Sequence, residues 1–127
     1  MTAPMPKRVL SVGQCGPDHV AICGLLRRHF DVRVERADAL PDALAAVRQA
    51  PHDLVLVNRK LDVDYSDGME VIRAIKAEPS LAGVPVMLVT NFPDHQRIAV
   101  EAGAERGFGK LELDEPQTVA RLARFLG

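Results

Sequence analysis

Four short runs rich in Val and Leu, at residues 8–12, 32–34, 54–57 and 84–89, and a fifth strand candidate at 107–109 alternate along the chain with stretches patterned at helical spacing. That alternation constrains the fold more than any other feature. Strands separated by segments long enough for a helix pair in parallel through crossover connections, and such sheets carry helices on both faces. The last run is weakened as a strand by Gly107 and Gly109. Helices are expected near 18–30, 41–50, 68–78, 94–102 and 114–126, with Asp18, Asp94 and Asp114 as N-terminal caps and Pro41 in a first turn. Ile22, Cys23, Leu26 and Phe30 share one helical face, as do Leu40, Ala43, Leu44 and Val47, and both faces should cover the sheet.

Five such βα units predict an α/β fold, a flavodoxin-like doubly wound (βα)5 sandwich with a parallel five-stranded sheet in the order 2-1-3-4-5. In sheets of this kind the functional crevice lies beyond the carboxyl ends of the strands. Those ends are Gly13-Gln14-Cys15, Asn58-Arg59-Lys60, Thr90-Asn91 and Lys110-Leu111. With 127 residues the chain is expected to form one domain over 1–127, with no output domain after it. Only 4% of residues are aromatic, so the core must be built from aliphatic side chains.

Sixteen basic against seventeen acidic residues, with no sustained basic run, argue against nucleic acid as a partner. No apolar stretch approaches the roughly 20 residues of a membrane span, and the N-terminal residues lack the apolar core of a secretory signal. A cytoplasmic location is expected, with no membrane association and with Cys15 and Cys23 reduced. The loop from Asp62 to Gly68 opens like an EF-hand, with oxygens at Asp62, Asp64 and Ser66. It lacks the glycine at the sixth position and the glutamate at the twelfth, where Asp67 and Arg73 stand. Neither a GxGxxG nor a Walker loop follows the first strand.

The strand ends carry a resemblance. Val9-Leu-Ser-Val-Gly13-Gln14, Asp53-Leu-Val-Leu-Val-Asn58, Pro85-Val-Met-Leu-Val-Thr90 and Gly103-Ala-Glu-Arg-Gly-Phe-Gly-Lys110 fall in the register of the bacterial response-regulator receiver domain, over residues 9–126. The chain resembles an atypical, or pseudo-receiver, member of that family. Thr90 and Lys110 match the family's switch and pocket residues. The family's acidic pair is replaced by Gly13 and Gln14, and its phosphoacceptor aspartate by Asn58. Gly107 stands where the family carries its aromatic switch, and Leu111 where it has proline.

Phosphoryl transfer onto a receiver needs a carboxylate nucleophile and a divalent cation. Exchanging three acids for Gly13, Gln14 and Asn58 takes their formal charge from −3 to 0, and an amide oxygen is a poor nucleophile. The resemblance therefore implies a two-component signalling module that is no enzyme and has no metal, cofactor or catalytic residue. It implies action through protein partners of a bacterial signalling pathway without phosphorylation. It also implies a contact or homodimer face made by the fourth helix, fifth strand and fifth helix, where Phe125 would be an anchor rimmed by Arg121 and Arg124. Val119, Leu122, Ala123 and Leu126 are expected to form the buried stripe of the fifth helix. Lys110, without its acidic partners, should either turn to solvent or find a substitute in Asp18, Asp62 or Asp64. Failing that, the pocket would take an anion, so a small-molecule or anion-binding domain is the alternative reading.

Overall fold

The computed structural model describes residues 5–127 and follows the predicted alternation. Strands β1 (Lys7–Val12), β2 (Val32–Ala37), β3 (Leu54–Asn58), β4 (Val86–Val89) and β5 (Glu105–Phe108) form one parallel sheet in the order β2-β1-β3-β4-β5. Helices α1 (Gly16–His29), α2 (Leu40–Gln49), α3 (Gly68–Ala77), α4 (Pro93–Glu101) and α5 (Pro116–Leu126) connect and flank it. Side chains along a strand point alternately to the two faces, and β3 shows the result. Val55 and Val57 join Ala43, Val47, Val71, Ile72 and Ile75 of α2 and α3 in one core. Leu54 and Leu56 join Ile22, Leu25, Leu26, Leu122 and Leu126 of α1 and α5 in the other. The β3 run is fully buried because helices cover it on both sides.

Several boundaries differ from the sequence expectation. β4 starts at Val86 rather than Val84, and β5 covers Glu105–Phe108 rather than 107–109. None of the three predicted aspartate caps holds its position. Cys15, Phe92 and Glu115 precede α1, α4 and α5, with proline in the first turn each time. Proline lacks an N–H and has φ already set for that turn, so the chain enters the helix around it. Asp18 and Asp94 fall inside their first turns instead, and Asp114 lies before its helix. The side-chain cap of α3 is Asp67, which accepts the Met69 N–H at 2.9 Å.

The buried stripe of α5 also needs correction: Ala123 is exposed, and Thr118 takes its place beside Leu122 and Leu126. Thr118 fits the core because its hydroxyl donates to the Glu112 carbonyl at 2.7 Å. Among the described residues no helix is long and apolar enough to cross a membrane.

Candidate functional site

The crevice is built by the loops that follow β1, β3, β4 and β5. Gly13 turns the chain out of β1 with φ +73°, and a Cβ there would overlap the Leu61 side chain, so only glycine fits. This close approach brings the β3–α3 loop against the end of β1: the Asp62 N–H donates to the Gly13 carbonyl at 3.0 Å. Asn58 ends β3 beneath that loop. Its Nδ2 donates to the Lys60 carbonyl at 2.6 Å and toward the Gly13 carbonyl at 3.4 Å. Two carbonyl oxygens thus converge on an amide donor, a role that a carboxylate, which only accepts, cannot fill.

Lys110 extends from the end of β5 and meets Asp18 of α1, with Nζ 2.5 Å from Oδ2. The hydrogen bond from Lys110 holds the Asp18 carboxyl below its usual range. Of the three carboxylates the sequence offered to Lys110, the structure selects the one in the first turn of α1. Arg59 is likewise engaged, with Asp67 at 2.8 Å. Thr90 is buried, shares a 3.1 Å hydrogen bond with His95 Nδ1 and accepts the Phe92 N–H at 3.3 Å. Asn58, Thr90 and Lys110 line one pocket of about 290 Å³, together with Lys60, Phe92 and His95 among others. Gly13 reaches this site through its carbonyl. Gln14 does not line the pocket: it is buried, with neither end of its amide meeting a protein partner.

No family model matches the chain, and no curated protein is similar to it. Solved structures are. The signal receiver domain of a DNA-binding response regulator from Colwellia psychrerythraea 34H superposes with TM-score 0.77 at 21% identity, covering 93% of this chain and 96% of that one. The chemotaxis response regulator CheY4 of Vibrio cholerae gives 0.73 at 20%, covering 96% and 100%. This chain has the receiver-domain fold. The receiver domain of a sensor histidine kinase from Pseudomonas aeruginosa PAO1, whose structure has a magnesium ion coordinated in the active site cleft, gives 0.70 at 22%, covering 94% and 93%.

A magnesium ion does not suit the residues found here. It requires several oxygens in octahedral array, carboxylates among them. At this end of the sheet the Lys60 and Gly13 carbonyls accept from Asn58, and the Asp18 carboxylate is held by an ammonium group. Among the described residues, no three of His, Cys, Asp and Glu come together as a metal would need.

The pairing of β5 with β4 is irregular around Gly107. β5 slips against β4, with Met87 opposite Glu105 but Val89 opposite Phe108. At the slip Gly107 lies so close to β4 that a Cβ would overlap the Leu88 carbonyl oxygen. Gln96 of α4, buried, fills the irregularity. Its Nε2 donates to the Leu88 carbonyl at 2.9 Å and its Oε1 accepts the Gly107 N–H at 2.8 Å. Nothing in the sequence marks Gln96 for this role, because one polar residue on an amphipathic helix carries no sign that it faces inward.

Beyond β5, Arg121 Nη1 donates to the Gly107 carbonyl at 3.4 Å, and Arg124 lies 3.9 Å from Glu105 and 5.2 Å from the Phe125 ring centre. Phe125 itself is half-buried against the core shared by α1 and α5.

Proposed function

We propose that this chain is a response-regulator receiver-like signalling module that lacks the phosphoacceptor aspartate and the acidic pair, and that acts by phosphorylation-independent protein–protein interaction. The observation that carries this reading is the Asn58 side chain, whose amide donates to the Lys60 and Gly13 carbonyls at the end of β3. A receiver that accepted phosphate there would need a nucleophilic carboxylate and a cation between it and those oxygens. Here an N–H donor supplies the positive end of that contact permanently. The Gln96 clamp supports the same reading, because it ties α4 to β4 and β5 without any phosphoryl group. In this reading Gly13, Gln14, Asn58, Thr90, Lys110 and Gly107 stand at the positions of a receiver's acidic pair, acceptor, switch residues and aromatic, and the module works in the bacterial cytoplasm and is not an enzyme. Its partner is a protein of a two-component pathway, contacted through α4, β5 and α5.

Incubation with a small phosphodonor followed by mass spectrometry tests this proposal. The wild-type chain should gain no acyl phosphate, with or without magnesium. An acid-stable, base-labile phosphoryl adduct on residues 53–68 would overturn it. The rival reading, an anion or small molecule in the same pocket, is weakened by the Lys110–Asp18 pair, which neutralises Lys110 and leaves the exposed Lys60 as the pocket's one lysine without a carboxylate partner among the described residues. Calorimetric titration with phosphate and sulfate distinguishes the two, and no heat of binding is expected.

A further inference from the structure

The large apolar side chains that stand most clear of the fold include Val63, Tyr65, Phe92 and Leu111, each between 60% and 84% exposed. They belong to the loops after β3, β4 and β5, so the topology gathers them at one end of the sheet, around the pocket just described. Local contacts position two of them. The Leu111 N–H donates to Asn91 Oδ1 at 3.1 Å, and the Phe92 ring packs edge-on against His95 at 5.1 Å between centres. Tyr65 has φ +59°, a conformation costly for a residue with a large side chain. Its N–H donates to the Leu61 carbonyl at 2.7 Å, and the neighbouring Ser66 N–H to Asp64 Oδ1 at 2.9 Å. The loop therefore holds a strained aromatic in solvent without burying it.

Charge is unevenly settled around the same mouth. Lys110 and Arg59 have carboxylate partners, whereas Lys60 has none among the described residues. Asp62 and Asp64 have no cation partner among them either, although they lie two and four residues from Lys60. The segment Asp62-Val63-Asp64-Tyr65 alternates carboxylates with exposed apolar groups. That is the chemistry complementary to a pocket mouth with a free ammonium beside Phe92.

From this self-complementarity we infer that a second copy of the chain docks at the crevice mouth. Each copy lays residues 62–65 over the Lys60 side of the other's pocket and receives the same segment in return. A two-fold arrangement makes both contacts at once, because a patch carrying both charges pairs with itself. The occupant is a second copy because the chain itself presents the segment that fits. This dimer is independent of the proposed signalling role and leaves α4, β5 and α5 free for a partner.

Sedimentation equilibrium of the full chain over a concentration series tests the inference. The wild type should show a monomer–dimer equilibrium that weakens with salt. Lys60→Glu alone and Asp62→Lys/Asp64→Lys alone should each weaken dimerisation by about tenfold or more, since each sets like charges against each other at both contacts. An equimolar mixture of the two variants should recover the wild-type affinity, because every contact in the mixed dimer is again between opposite charges. Tyr65→Gly should weaken the dimer while leaving the monomer at least as stable, which separates a contact role from a structural one. A wild-type chain that sediments as a 13.8 kDa monomer throughout, or a mixture of variants that fails to recover the dimer, would overturn it.

Discussion

Asn58 shows how one atom type decides the chemistry of a crevice. Replacing its NH2 by a carboxylate oxygen sets that oxygen against the Lys60 and Gly13 carbonyls. Asn58→Asp is therefore expected to destabilise the chain by about 1–3 kcal/mol, from the lost bonds and the repulsion. Urea unfolding of the two proteins measures it, and the difference should shrink at acid pH, where the new carboxyl is neutral and can donate. The Lys110–Asp18 pair carries a pH signature of its own. Lys110 lowers the Asp18 pKa in the folded chain, so the pair's contribution is complete above the ordinary carboxylate pKa of about 3.9 and is lost as pH falls through the lower folded value. Both side chains are about a third exposed, at 32%, which keeps that contribution to about 1 kcal/mol or less. In Lys110→Met the Asp18 carboxyl should titrate at a higher pH by NMR, and the loss of stability in that acid window should be smaller.

Among the elements, the inward-facing Gln96 of α4 and the place of β5 at Glu105–Phe108 were not legible in the sequence, and they meet at one irregularity. Gly107 and the buried Gln96 sit at the slip between β4 and β5, within a strand that runs from Glu105 to Phe108. Gln96→Leu should leave the Gly107 N–H without its acceptor and remove one donor from the Leu88 carbonyl, lowering stability by about 2–3 kcal/mol. Hydrogen exchange would show faster exchange at Gly107, while the α1–β1 core stays protected. Elsewhere the hydrophobic periodicity was sufficient: Ile22 and Leu26 in α1, and Ala43 and Val47 in α2, face the sheet as their spacing predicts. The placement of the strand ends was legible in part, since Asn58, Thr90 and Lys110 do meet in one pocket while Gln14 does not line it. The caps were not, because a cap depends on the entry angle of the chain, and the prolines of α1, α4 and α5 set that angle in competition with nearby aspartates. Nor was Asp18 singled out from Asp62 and Asp64 as the partner of Lys110, a choice made by the position of α1 over the sheet rather than by any local pattern.

At the scale of the molecule, the crevice mouth and the α4–β5–α5 face are separable surfaces, and substitutions on one should leave the other intact. Phe125 tests this for the partner face. Its half-burial against the α1–α5 core predicts that Phe125→Ala lowers stability by about 2 kcal/mol, readable as a fall in thermal midpoint. Arg121→Glu and Arg124→Glu should shift that midpoint little and weaken partner binding if the face is the contact. A large fall for Phe125→Ala with unchanged binding would assign the ring to the core alone. The close approach at Gly107 bears on what the fold can accept as well. Because any Cβ there meets the Leu88 carbonyl, no larger side chain fits at this position while the two strands keep their present spacing. The strands must first part, and Gln96 must first withdraw. The backbone here acts as a gauge: the gap between β4 and β5 admits a hydrogen atom at position 107 and rejects a methyl group.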